Sequence, residues 1–116
     1  MMTQEELKKQ LDLLNTQSSL KDLQAYVSEM IEMRGFGDET LKDLMILLTE
    51  ETGELAREVR KVSNMKTDVS SPSTGDIEGE IADIFIYLLS ICRNLNIDLF
   101  KAFKAKEEKN SNRVWK

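Results

Sequence analysis

Residues 76–94 restrict the fold more than any other stretch of this 116-residue chain. Ile77, Ile81, Ile84, Phe85, Ile86, Leu88, Leu89 and Ile91 cover most of the circumference of a helix drawn through them at about 100° per residue. A helix apolar on so many sides belongs in the middle of a packing, so the rest of the chain must supply elements to cover it. No apolar run reaches the roughly 18 residues of a membrane span, so that cover is expected to be protein.

The remaining sequence supplies helices. Thr3 with Glu6 is a capping-box pattern, opening a polar helix of about a dozen residues. It is expected to form an N-terminal arm within residues 1–18. Ser19 caps a second helix whose face is Leu20, Leu23, Val27, Met30 and Ile31, and Arg34-Gly35-Phe36-Gly37 ends it, glycine suiting a left-handed stop. Asp38 is expected to cap a long helix running to about Asn64, with Leu41, Leu44, Leu48, Leu55, Val59 and Val62 as its apolar stripe. Asn64 to Gly75, which holds the single proline Pro72, is a loop by composition. After the apolar helix, Asn96 or Asp98 caps a last one with Leu99, Phe100 and Phe103 on its face. The expected architecture is all-α: a four-helix-bundle-like single domain over residues 19–116, with the extra N-terminal helix outside it.

Two absences narrow the chemistry. The chain has no histidine and one cysteine, Cys92, so a Ser-His-Asp triad, a structural zinc site and a Glu-x-x-His di-iron centre are all out of reach. Any metal here takes oxygen ligands, which points to magnesium or manganese and less often calcium. A lone cysteine, and an N-terminus (MMTQEELKKQ) without the apolar stretch of a secretion signal, make the cytoplasm the expected compartment. The net charge of −5 conceals a split: residues 101–116 carry six basic and two acidic side chains, the others ten basic and nineteen acidic. Such acidity argues against nucleic acid as a partner. A small anion carried by metal, met by a basic tail, remains compatible.

The acids are placed unusually. Glu50-Glu51-Thr52-Gly53-Glu54 lies on the long helix and Glu80-Ile81-Ala82-Asp83 on the apolar one. Each puts two carboxylates three residues apart, about one turn, on one side of its helix. At about 100° per residue, Glu51 falls roughly 20° from Leu44 and 40° from Leu55, inside the apolar stripe. Glu54 and Glu58 follow at its margin. Glu80 falls about 20° from Ile91, with Tyr87 between Glu80 and Asp83. These acids point where two helices pack. Carboxylates about 5 Å apart repel by roughly 3 kcal/mol at an effective dielectric near 20, so four together must protonate, pair with cations or bind metal. Lys61 is the neighbouring base placed to pair with Glu58 or Glu54; Arg57 and Arg60 point away from the glutamates. A divalent cation satisfies the cluster most simply, against the plainer reading of a solvated or ion-paired acidic seam.

With those residues in place, the sequence resembles the MazG family of nucleotide pyrophosphohydrolases, an all-α group marked by Glu-Glu-x-x-Glu on one helix and Glu-x-x-Asp on the next. Glu50-Glu51-Thr52-Gly53-Glu54 and Glu80-Ile81-Ala82-Asp83 match both, with 25 residues between them. The resemblance covers roughly residues 20–113 and leaves the first helix outside. It implies Glu51, Glu54, Glu80 and Asp83 as magnesium ligands and Glu50 as an auxiliary acid. Lys106, Asn110 and Arg113 resemble the family's Lys-x-x-x-Asn-x-x-Arg element, which contacts phosphate and base, and Lys109 is an alternative to Lys106.

The implied reaction is Mg-dependent hydrolysis of nucleoside triphosphates, deoxy or modified ones included, to the monophosphate and pyrophosphate. Glu50 or Glu54 would accept the proton, and manganese is an alternative metal. A homodimer or dimer of dimers is implied as well, in keeping with an apolar helix that needs more cover than one chain offers. Two other readings stand beside it: a non-catalytic acidic helical interaction module, and a metal or nucleotide binder without turnover.

Overall fold

The computed structural model describes residues 2–63, 66 and 76–114. Among them it contains five α-helices and no strand: α1 (Gln4–Leu13), α2 (Leu20–Arg34), α3 (Leu41–Val62), α4 (Ile77–Leu95) and α5 (Leu99–Ser111). The all-α expectation is met. No helix among the described residues is long and apolar enough to cross a membrane. The loop expected over residues 64–75, with Pro72, lies outside the described residues apart from Lys66.

Local chemistry sets the helix ends. Thr3 and Glu6 form the expected capping box on α1, and Ser19 with Asp22 forms one on α2. The start of α3 differs from expectation: its N-cap is Thr40, not Asp38. The Thr40 hydroxyl accepts from the Asp43 amide at 3.1 Å while the Asp43 carboxylate accepts from the Thr40 amide at 2.9 Å. This reciprocal pair satisfies two otherwise orphaned donors, and Asp38 has no such partner three residues on. The Asp98 carboxylate caps α5, accepting from the Lys101 amide. α2 and α4 stop alike. Gly35 (φ 77) and Asn96 (φ 55) take the left-handed conformation, and the next amides, of Phe36 and Ile97, close onto the Ile31 and Cys92 carbonyls.

The chain divides into two compact units. Unit one comprises Met1–Glu39 and Leu89–Lys116, that is α1, α2, the end of α4 and α5. α1 packs on α2, and α2 on α5. Leu7, Val27, Met30, Ile31, Leu89 and Cys92 are its buried apolar residues. Gln24 of α2 ties the α4–α5 turn down, donating to the Ile97 carbonyl and accepting from the Leu99 amide, each at 2.9 Å. Unit two, Thr40–Leu88, holds α3 and the first part of α4.

Two burial expectations are corrected. α4 is deeply buried only near its end, at Leu89, Ser90 and Cys92, while Ile81 and Leu88 are 52% and 41% exposed. A helix apolar on every side has more surface than the helices of one short chain can cover. On α5 no residue is buried, and Phe100 and Phe103 are exposed where an inward face was expected.

Candidate metal centre

Unit two carries the acids. Along α3, residues seven apart nearly coincide around the axis, which sorts the helix into rows. Leu44, Glu51 and Glu58 form one row; Leu47, Glu54 and Lys61 form the next. Leu44 and Glu58 are buried and Glu51 is half-buried, so the row of leucine and glutamates turns inward. On α4, Asp76 accepts from the Gly79 amide at 2.8 Å and starts the helix one residue ahead of Ile77. Glu80 and Asp83 then follow within its first two turns.

Glu51, Glu80 and Asp83 each present a carboxylate oxygen within 4.8 Å of the others. The Glu51 carboxyl is pushed up to about 7, first by a hydrogen bond with the Glu80 carboxyl, then by burial, then by repulsion from Glu80, Asp83 and Glu54. Glu80 Oε2 is itself buried and has no donor from the described side chains or backbone. The two observations agree once protons are counted: carboxylates only accept, so Glu51 and Glu80 bond only when one of them is protonated. A buried oxygen so placed is satisfied by that shared proton or by a cation.

The donor set meets the requirements of a hard divalent ion. Three carboxylate oxygens from two helices are present, with no sulfur or imidazole among them. Ligand oxygens on magnesium stand about 3–4 Å apart, given bonds of about 2.0–2.1 Å, and the three carboxylate oxygens, within 4.8 Å of one another, lie close to that spacing.

The other expected site residues lie elsewhere. Glu54 is exposed one turn beyond Glu51, outside the trio but near enough for its charge to raise the Glu51 pKa. Glu50 is exposed on a neighbouring face, bordering a surface cavity with Lys42, Met45, Ile46 and Thr49. Lys106, Lys109 and Asn110 lie on α5 of unit one and Arg113 just past it, all exposed except half-buried Asn110, which donates to Glu107 at 3.4 Å.

One charged residue is more deeply placed than expected. Glu58, expected at the margin of the stripe, is only 3% exposed. Its carboxylate lies 4.0 Å from the Lys61 ammonium. The heptad step Leu44–Glu51–Glu58 was the signal for it, because burial of the first member carries to the third.

The described residues are helical or in the turns between helices, and one trio of carboxylates drawn from two helices is placed as a hard divalent ion would need it. The chain matches the MazG nucleotide pyrophosphohydrolase domain over residues 39–115. It is also 34% identical over 84 residues to YpjD, an uncharacterized protein of Bacillus subtilis (strain 168), with 72% of this chain and 76% of that protein aligned. The chain belongs to the MazG nucleotide pyrophosphohydrolase family.

Proposed function

We propose that the chain hydrolyses nucleoside triphosphates between the α- and β-phosphates, releasing the monophosphate and pyrophosphate, with magnesium as the working metal and manganese as a substitute. The observation that carries this reading is the meeting of Glu51, Glu80 and Asp83 oxygens within 4.8 Å, drawn from both motif helices. Glu51, Glu80 and Asp83 hold the ion, and Glu54 completes the ligand set from the next turn of α3. A divalent ion held by these residues would supply positive charge against the phosphate oxygens and would make the attacking water more acidic. Glu50 or Glu54 accepts the proton that the attacking water loses. Lys106 or Lys109, with Asn110 and Arg113, contacts the phosphates and base, as the spacing of the family element implies.

The exposed apolar residues Ile81 and Leu88 of α4 support assembly into a homodimer or dimer of dimers. A cytoplasmic pool of surplus, deoxy or modified nucleotides is the corresponding substrate source.

The test is incubation of the purified chain with a panel of ribo- and deoxyribonucleoside triphosphates and magnesium, scoring pyrophosphate against orthophosphate. Pyrophosphate with the matching monophosphate is expected, and chelator should stop its release. Orthophosphate as the sole inorganic product means that another bond is cut. Magnesium binding without either product leaves a binder without turnover.

A further inference from the structure

We propose that the outward face of α3 docks a second copy of this chain, the two helices running antiparallel about Ile46 so that Lys42 of each pairs with Glu50 of the other. What the pairing adds to the site rests on the pyrophosphohydrolase reading above; the association itself does not. The starting point is an uncharged helix face. Met45, Ile46, Thr49, Thr52, Gly53 and Ala56 are all exposed, and they spread over about 120° of α3 at about 100° per residue. In a chain with 32% charged residues, six exposed helix positions without a charge are not what contact with solvent asks for.

The face is suited to being covered. Ile46 is 51% and Met45 48% exposed. The hydroxyls that would leave water with them already have partners: Thr49 donates to the Met45 carbonyl at 2.8 Å and Thr52 to the Leu48 carbonyl at 2.9 Å. Burial therefore leaves neither hydroxyl unpaired. At Gly53 nothing lies within 4 Å of where a Cβ would stand, which gives a neighbouring helix room to approach.

Charge selects the occupant. Lys42 and Glu50 border a shallow cavity with Met45, Ile46 and Thr49, and among the described residues neither forms an ion pair. Each stands four residues from Ile46, about 6 Å along the axis and about 40° to either side. A two-fold axis at Ile46 brings Lys42 of one copy to the height of Glu50 of the other. Two pairs of opposite charge form at once, with the two Ile46 side chains between them. Parallel stacking would set lysine against lysine and glutamate against glutamate. The surface thus complements itself, whereas an unrelated partner would have to bring the same two charges at the same spacing. Glu50 directly precedes Glu51, so the contact also fastens the turn of α3 that presents a trio carboxylate. Val62 lies about 160° round the helix from Ile46, and two separate faces are what a dimer of dimers needs.

The experiment is sedimentation analysis at low salt, without nucleotide. It gives the dissociation constant for wild type, Lys42→Glu, Glu50→Lys, the Lys42→Glu/Glu50→Lys double variant and an equimolar mixture of the two single variants. Each single variant sets like charges against one another at both ends of the contact, and should associate at least about tenfold more weakly. The double variant and the mixture restore opposite charges, and should return to within about threefold of wild type. Melting temperatures should hold, because both positions are exposed. Ile46→Cys should cross-link to itself on oxidation, because helices about 8–10 Å apart bring residues at a two-fold axis within disulfide range. Single variants that associate as wild type does would overturn the pairing, as would a mixture as weak as its components, a monomeric wild type or the absence of that cross-link. A pair that holds in a chain cleaving no triphosphate removes the reaction reading and leaves this one. Triphosphate cleavage by a chain that stays monomeric does the reverse.

Discussion

Glu51 of α3 and Glu80 of α4 face one another as two hydrogen-bond acceptors competing for one proton, and the Glu51 carboxyl is pushed up to about 7 in consequence. Both lie in unit two, and Asp83 brings a third oxygen within 4.8 Å of each. Protonation and metal binding are alternative ways of satisfying the same oxygens, which makes pH a probe of the site.

The sign follows from the raised value. The folded, metal-free chain keeps the Glu51 proton up to about pH 7, whereas an unfolded chain releases it near 4.5. Proton uptake therefore stabilises the metal-free fold fully below about 4.5, and that contribution is lost as pH rises through about 7. In chelator the melting temperature should fall between pH 5 and 8. Magnesium must displace the proton, so its affinity should climb up to about tenfold per pH unit toward pH 7 and level off above it. Glu51→Gln should flatten the chelator profile and weaken magnesium binding. An affinity independent of pH over this range would remove Glu51 from the ligand set.

Removing either α4 acid separates function from folding. Glu80→Gln and Asp83→Asn delete a charge from a mutually repelling group, so the melting temperature in chelator should hold or rise. Turnover of nucleoside triphosphates should fall at least about a hundredfold in each, and the thermal shift produced by magnesium should disappear. Retention of wild-type kcat/KM in both variants would contradict the proposed centre.

The helices, their order and the two acid pairs were legible because each rests on local chemistry: capping boxes, a glycine stop, and periodicity at about 100° per residue. What escaped is relational. Asp38 and Thr40 are both acceptable N-caps by residue type, and only the reciprocal bond with Asp43 selects Thr40. That choice is measurable: Thr40→Ala should lower unfolding free energy by about 1 kcal/mol, while Asp38→Ala should change it by less than about 0.5 kcal/mol. Equal losses in denaturant titrations would return the cap to Asp38. Glu58 was misjudged for a related reason. Residue type favours solvent for a glutamate, but the row it shares with Leu44 and Glu51 carries it inward.

The apolar circumference of α4 yields the last prediction. Ile81 and Leu88 remain largely exposed in the single chain, and Val59 and Val62 of α3, in the same unit, are exposed too. Apolar side chains exposed on both helices of one unit are what an association between copies would cover, and that is the expectation here. Light scattering should give at least two copies per particle for the wild type. Leu88→Asp or Val62→Asp, neither of them a member of the acid trio, should move the chain toward monomer in a concentration-dependent way, because burying an unpaired carboxylate in an apolar contact is strongly unfavourable. If a substrate pocket needs two copies, the same variants lose turnover at low protein concentration and regain part of it at high concentration. A wild type that is monomeric throughout the micromolar range would instead leave these four side chains as surface, with the acid trio working inside one chain.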